Sequence, residues 1–449
     1  MDHIRRWLQP DPPASYQPVE DAGEMHDAED QSLLSRSSCV PPFSKVEYGI
    51  SFILGVSMLW AWNMFLAAAP YFRHRLQSDD WAATHYQPAI LSVSTLTNLA
   101  TAFTLAKVQK GASYPRRIVL SLLINITVFT ILAFSTILLE DVAVGTYFKF
   151  LMVMVFGASL ATGINQNGVY AYVSGLGREE YTQAIMAGQG VAGVLPSAVQ
   201  ILTQLAKPGP SGDSDAPQGS TKSAFIYFIT ATLVSSSALF AFLYLVKQSS
   251  GRVSMLPADD DGSILSEHVD RKTVGLWDLF KKLRWNALAV FSVYMITMMA
   301  PVYTVMIESV HNDADRSRLF EPSVFIPFAF LIWNSADLIG RMIVLVPHLS
   351  LAHRPLILFV CAVSRLVFIP LYLLCNIHGR GAVVQSDFFY LFIVQLLFGI
   401  TNGYLGSNCM MGTNYWVLPE EREPAGGFMS MMLVGGLTAG SLLSFLAAG

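Results

Sequence analysis

Eleven long apolar runs divide this sequence, and each is long enough to cross a lipid bilayer as a single helix. A spanning helix needs about 20 mainly apolar residues. Backbone groups inside a bilayer must find hydrogen-bond partners within a helix or a closed barrel, so runs of this length predict helices. We therefore predict an all-α integral membrane protein with eleven transmembrane helices. The runs lie near 46–69, 86–107, 117–138, 147–173, 182–205, 223–246, 285–307, 323–346, 355–376, 387–415 and 424–447.

The composition also favours a multi-pass membrane protein over a soluble fold. The 449 residues are 53% hydrophobic and 13% charged, whereas a soluble protein is about 25% charged. The net charge is −4 and no basic block is present, so we expect no nucleic-acid partner. The four cysteines fall in no metal-ligand spacing, and we expect neither a metal nor a cofactor.

One long polar connection separates the first six runs from the last five. It covers residues 247–284. We therefore predict a disordered acidic tail at 1–44, a six-helix bundle at 45–246, this linker, and a five-helix bundle at 285–449. A two-part plan of this kind is typical of transporters whose substrate site lies near the bilayer midplane, between the halves.

Basic residues in the short loops predict the orientation of the chain. The loop after the second run carries Lys107, Lys110, Arg116 and Arg117, and the long linker is also rich in basic residues. The alternate loops carry fewer basic residues. We expect the amino terminus in the cytoplasm and, after eleven crossings, the carboxyl terminus outside the cell or in an organelle lumen.

The eighth apolar run carries two opposite charges near its middle, Asp337 and Arg341. One charge at a helix centre costs about 2.5–3.5 kcal/mol, and two unpaired charges cost about 6 kcal/mol. The two residues are four apart, so they share one helix face, and Phe330 and Asn334 extend that face into a stripe. We expect the stripe to face the bundle interior or a watery cavity.

This stripe has two interpretations, a buried brace between helices or a ligand site. We favour the ligand site, because a carboxylate, a guanidinium, an amide and an aromatic ring together suit a neutral polar ligand with hydroxyls and a flat ring. Two other runs add groups of the same kind. Trp62 in "LWAWNMF" offers a plate for stacking, and Gln166 in "TGINQNGVYAY" offers a paired donor and acceptor. Packing for Trp62, and amide bonding between helices for Gln166, remain the alternatives.

Several long motifs, in order along the chain, resemble the equilibrative nucleoside transporter family. They are "WAWNMF" (60–65), "IMAGQGVAG" (185–193), "IWNSADLIGR" (332–341), "SRLVFIPLYLLCN" (364–376), "GITNGYLGSNCM" (399–410) and "PAGGFMSMMLVGGLTAGSLLSFL" (424–446). The resemblance covers nearly all of 46–449. It implies a fold similar to the major facilitator architecture, in a six-plus-five arrangement. It also implies transport of nucleosides, and in some members nucleobases, by alternating access.

The resemblance further implies roles for particular residues. Asp337 and Arg341 would bind the ribose, and Gln166 would bind the base. Pro301 would form an outer gate opposite Leu66, and Arg117 with Glu423 would form a cytoplasmic gate. The remaining residues implied to line the substrate site are Leu59, Trp62, Leu66, Phe330 and Asn334.

The coupling mechanism and rival functions can also be weighed from the sequence. Because Arg341 lies beside Asp337, we expect a permanently ionised pair and hence facilitated diffusion; a proton-coupled nucleoside or nucleobase symporter is the alternative. A polytopic receptor or channel is a rival of another class, but the six-plus-five split and the lack of a pore-lining filter argue against it. No GxGD or HExxH motif is present, so we do not expect an enzyme.

The acidic tail contains one candidate sorting signal. "EDQSLL" fits an acidic dileucine pattern, with Glu29 followed by Leu33 and Leu34. A cytoplasmic signal of this kind would bind a sorting adaptor and direct the protein to a vacuole or lysosome. A chance match in a disordered tail leaves the plasma membrane as the alternative location.

Overall fold

In a computed structural model of the chain, the described residues are 42–109, 111–206, 221–254, 273–311 and 317–448. Within these ranges, eleven helices are long and apolar enough to cross a membrane. The predicted eleven-helix fold is therefore confirmed. The helices are α1 Lys45–Leu76, α2 Asp80–Lys107, α3 Tyr114–Leu138, α4 Val144–Gly175, α5 Glu179–Ala206, α6 Thr221–Ser254, α7 Leu276–Met306, α8 Pro322–Ile343, α9 Pro355–Leu373, α10 Phe389–Tyr415 and α11 Arg422–Ala448.

Three helices extend well beyond the apolar runs that predicted them. Helix α2 begins at Asp80, because Asp79 caps its first turn and accepts hydrogen bonds from the backbone N–H groups of Trp81 (3.0 Å) and Ala82 (3.2 Å). Helix α6 continues to Ser254 and α7 starts at Leu276, inside the predicted linker. Hydropathy does not detect polar helical turns of this kind. The division into tail, bundles and linker stays a prediction.

Several helices are interrupted along their length. Helix α1 is interrupted at Ala68, before Pro70, and α7 is interrupted before Pro301, because proline removes a helical hydrogen bond. Helix α9 tightens at Arg365–Val367, and α10 starts with a wider turn at Phe389–Leu396. The break in α9 places a charged residue, Arg365, inside the bundle.

Glycines allow the closest helix contacts. A Cβ at Gly188 of α5 would overlap the backbone of α1, and one at Gly440 of α11 would overlap the backbone of α7. These glycines come from the small-residue motifs at 187–193 and 435–440, where small side chains let backbones approach. Gly403 of α10 packs in the same way against the carbonyl oxygen of Asp337 in α8. The backbone of the charged stripe is thus held directly against α10.

The first six and the last five helices are also joined at one membrane face, which we call the tail face because α1 begins there. At this face the Tyr415 hydroxyl of α10 donates to Glu179 Oε2 of α5 (2.5 Å), and Glu423 of α11 packs on Gly175 of α4. Toward the opposite face, called the far face, 53% of Leu66 in α1 is exposed. This conformation is closed at the tail face.

Candidate functional site

Asp337 and Arg341 form a buried ion pair inside the bundle. Arg341 Nε donates to Asp337 Oδ2 at 2.6 Å, and only 8% of Asp337 and 5% of Arg341 are exposed. The apolar side of α8 points the other way, with Ile339 exposed. The stripe therefore faces the protein interior and not the lipid.

This ion pair also joins the two groups of helices. On the α10 side, Asn402 Nδ2 donates to Asp337 Oδ1 at 2.6 Å. On the α5 side, Arg341 Nη1 donates to the Met186 carbonyl (2.8 Å) and to Gln189 Oε1 (3.2 Å). A change in the position of α5 relative to α8 must therefore alter the surroundings of the pair.

Gln189 extends the cluster to α1 and α4. Its Nε2 group lies 3.1 Å from the Tyr170 hydroxyl of α4 and 3.3 Å from Met58 Sδ of α1. Met58 precedes Trp62 by four residues, and Tyr170 follows Gln166 by four residues, so each pair shares a helix face. Trp62 and Gln166 therefore lie one helical turn from groups that touch the Arg341 cluster.

Trp62 and the α4 helix also share a narrow recess. Ser159 and Thr162 of α4 line it, and Gln166 continues the same face at spacings of three and four residues. Gln166 therefore lies one helical turn beyond the recess that Trp62 borders. The residues around the recess are Ala61, Trp62, Phe65, Phe129, Val155, Ala158, Ser159 and Thr162.

The three adjacent amides of α4 have different surroundings. Asn167 accepts a 2.7 Å hydrogen bond from Arg117 Nη1, so this amide does bond between helices. Within the described ranges, Gln166 makes no hydrogen bond, and its Oε1 atom is buried without a donor. Asn165 is likewise buried with both polar side-chain atoms unpaired. Leaving a buried polar group unpaired costs about 1–3 kcal/mol, so Gln166 has bonding capacity for a ligand.

The ion pair also has hydrogen-bonding positions that no described residue occupies. A carboxylate offers about four acceptor positions, and Asn402 and Arg341 occupy two of those on Asp337. The Nη2 group of Arg341 makes no hydrogen bond to any residue that the structure describes. The pair can thus both accept from and donate to a hydroxylated ligand.

The other predicted lining residues lie on α1 and α8. Asn334 Nδ2 donates to Ser197 Oγ of α5 at 2.9 Å, and Phe330 packs near Trp333 with ring centres 6.0 Å apart. Leu59 is half-buried one turn before Trp62 on α1. Their contact with a substrate stays a prediction.

The predicted gate residues occupy the two ends of the bundle. At the tail face, Arg117 donates to Asn167 and to the Val108 carbonyl (2.6 Å), while Glu423 packs against α4. Toward the far face, Leu66 is exposed and Pro301 is half-buried at the break in α7. Their gating roles stay predictions. Glu29, Leu33 and Leu34 lie outside the described residues.

Sequence reasoning missed four polar residues around the ion pair. Two of them, Gln189 and Asn402, bond to the pair directly. The other two lie behind Asn402: Thr297 donates to Asn402 Oδ1, and Arg365 donates to Thr297. Gln189, Asn402 and Arg365 lie within the motifs quoted for the family resemblance, which assigns them no role, and Thr297 lies in the seventh apolar run. The sequence does carry one signal for Arg365, which is a lone charge in the apolar run "SRLVFIPLYLL". A charge inside a spanning helix is costly, as it is for Asp337, so Arg365 is also expected to face the protein interior.

Comparison with known proteins identifies the family. A family model described as "Nucleoside transporter" matches residues 151–253 and 247–448. The chain belongs to the nucleoside transporter family. The nucleoside transporter FUN26 of Saccharomyces cerevisiae is 27% identical, covering 89% of this chain and 84% of its own. Equilibrative nucleoside transporter 2 of Rattus norvegicus is 29% identical, covering 89% and 96%.

Solved structures place the transporter in the major facilitator fold. The fucose transporter FucP in its outward conformation matches with a TM-score of 0.54 at 14% identity, covering 89% of this chain and 92% of its own. The human organic anion transporter MFSD10 matches with a TM-score of 0.53 at 14% identity, covering 90% and 93%. This likeness confirms the predicted architecture. The chain is a multi-pass nucleoside transporter and not an enzyme.

Proposed function

We propose that this transporter moves nucleosides by facilitated diffusion and binds them between the first six and the last five helices, at Asp337, Arg341, Gln166 and Trp62. The observation that carries the proposal is the buried Asp337–Arg341 pair. It bridges α5, α8 and α10 and retains free donor and acceptor positions. A brace alone would need no such spare capacity.

The ion pair would bind the sugar. Ribose hydroxyls donate to the open positions of the Asp337 carboxylate, and Arg341 Nη2 donates to a hydroxyl oxygen. Hydrogen bonds to charged groups contribute about 1.5–3 kcal/mol each. Two such bonds give selective but reversible binding, which a transporter needs in order to release its cargo.

The base would lie toward α1 and α4. Trp62 offers an aromatic face for stacking, and the free amide of Gln166 can donate to and accept from a base edge. Leu59, Leu66 and Phe330 supply apolar walls, and Asn334 adds an amide where α8 meets α5. Both purine and pyrimidine rings present a flat face and a polar edge, so this arrangement suits either.

Alternating access follows from where the site lies. Arg341 bonds across the boundary between the two groups of helices, so rocking of α5 against α8 exposes the substrate to the opposite face. Separation of Tyr415 from Glu179, together with release of Arg117 and Glu423, would open the tail face. Approach of Leu66 to Pro301 would close the far face.

Orientation and location complete the proposal. The basic loops favour an amino terminus in the cytoplasm, and the tail face would then be the cytoplasmic face. The protein would lie in the vacuolar or lysosomal membrane if an adaptor binds Glu29, Leu33 and Leu34, and in the plasma membrane otherwise. Imaging a fluorescent fusion with both leucines changed to alanine distinguishes the two locations.

Uridine uptake into proteoliposomes tests the proposed site. Asp337→Ala and Arg341→Ala should each lower uptake by about tenfold or more, while Asp141→Ala, which removes an exposed loop carboxylate, should not. Near-normal uptake by both site variants would refute the assigned roles. A proton ionophore should leave uptake unchanged; a marked loss would instead favour the proton-coupled symporter.

A further inference from the structure

Arg365 is a second buried arginine near the centre of the bundle. Only 2% of it is exposed, at the break in α9. Its Nη1 group donates to the Val293 carbonyl (2.8 Å) and to Thr297 Oγ1 (3.2 Å), and its guanidinium lies 4.4 Å from the ring centre of Phe398. Among the described residues, no carboxylate contacts it directly. A buried charge without a contacting counter-ion is costly and calls for a physical reason.

A chain of hydrogen bonds connects this arginine to the sugar-binding carboxylate. The Thr297 hydroxyl donates to Asn402 Oδ1 at 2.5 Å, and Asn402 Nδ2 donates to Asp337 Oδ1 at 2.6 Å. The path from Arg365 to Asp337 thus runs through α7 and α10. All four side chains are buried.

The two ends of this chain, Arg365 and the Asp337 carboxylate, set the direction of its bonds. Thr297 has one hydroxyl proton and two nearby acceptors, the Val293 carbonyl (2.7 Å) and Asn402 Oδ1. Arg365 donates to the Thr297 oxygen and shares the Val293 carbonyl with it, which favours donation of the threonine proton to Asn402. At the other end, the Asp337 carboxylate can only accept, so the Asn402 NH₂ group faces Asp337 and the Asn402 oxygen faces Thr297.

We propose that Arg365 is a positioning residue for sugar recognition, acting through Thr297 and Asn402. The relay supplies a fixed donor to Asp337 Oδ1, as Arg341 does to Oδ2. The carboxylate is therefore held at both oxygens, with its remaining acceptor positions directed to the ribose hydroxyls. This inference rests on the proposed role of Asp337 in binding the sugar.

The test uses Thr297→Val, because a change at Arg365 itself risks misfolding. Uptake of uridine is compared with uptake of 2′,3′-dideoxyuridine, which lacks both sugar hydroxyls. Thr297→Val should raise the KM for uridine about tenfold and leave the KM for the dideoxy substrate nearly unchanged. Thr297→Ser keeps the hydroxyl and should retain the preference for uridine. Thr304→Val is the matched control, since Thr304 is a buried hydroxyl on the same helix outside the relay.

The results separate this inference from the proposed function. If Thr297→Val raises the KM for both substrates equally, or changes neither KM, then Arg365 and its relay are a structural brace and the inference is overturned. Asp337→Asn is measured in parallel. If Asp337→Asn keeps the full preference for uridine, the proposed function itself fails, and the inference fails with it.

Discussion

Arg341 Nη1 of α8 lies 3.2 Å from Gln189 Oε1 of α5, and this contact joins the first six helices to the last five. The same arginine donates through Nε to Asp337. One side chain therefore takes part both in the candidate sugar site and in the boundary that must move during transport. We therefore propose that this single guanidinium couples binding to movement.

Arg341→Lys tests this double role. A lysine keeps the charge but lacks the planar guanidinium, which lets arginine donate to Asp337 and to α5 at the same time. We expect uridine uptake to fall roughly 10- to 150-fold, which corresponds to the loss of one charge-assisted hydrogen bond. Arg73→Lys, at an exposed position, serves as the control. Uptake equal to that of the control would show that the fork geometry is not needed.

The adjacent amides Gln166 and Asn165 provide a matched pair of substitutions. Both have unpaired buried atoms, so replacing either with an apolar residue should not destabilise the fold. Gln166→Leu should raise the KM for uridine about tenfold, because it removes the base partner. Asn165→Leu should leave the KM unchanged. An equal effect from both substitutions would mean that α4 packing, and not base recognition, accounts for the result.

The Tyr415–Glu179 contact should stabilise the conformation that is closed at the tail face. Tyr415→Phe removes a hydrogen bond to a carboxylate, so the balance should shift toward tail-face opening by roughly tenfold. The measurement is the alkylation rate of Ser174→Cys in a background without the natural cysteines. Tyr404→Phe is the control, because the Tyr404 hydroxyl bonds to Leu349 within the last five helices. Equal rates in the two variants would exclude a gating role for Tyr415.

Gly403 should tolerate no side chain. A Cβ there would overlap the Asp337 carbonyl, whereas a Cβ at Gly435 would make only an ordinary contact, 3.5 Å from Phe291. Gly403→Ala should therefore displace α10 from α8, lower the melting temperature by several degrees and reduce uptake, in line with the roughly 1–3 kcal/mol expected for overpacking. Gly435→Ala should do neither. Equal melting temperatures for the two variants would contradict the close approach of α8 and α10.

The sequence predicted those features that are set within a single helix. The lengths of the apolar runs predicted the eleven helices, and the spacing of Asp337 and Arg341 predicted that both residues share an inward face. The polar start of α2 and the extension of α6 were missed because caps and polar turns carry no hydropathy signal.

Contacts between helices were harder to predict. Helical spacing says which residues share a face but not which neighbour that face meets. The bonds from Arg341 to Gln189, and from Asp337 to Asn402, depend on how α5, α8 and α10 pack together. The Arg365 relay depends on α7 and α9 as well, so it became visible only in three dimensions.

The most direct test of the central claim is a cryo-electron microscopy structure of the transporter with bound uridine. The account predicts density between α4 and α8, with the ribose hydroxyls within hydrogen-bond distance of Asp337 and Arg341 and the base beside Trp62 and Gln166. Uridine bound elsewhere, with the Asp337–Arg341 pair still closed off from it, would contradict the account.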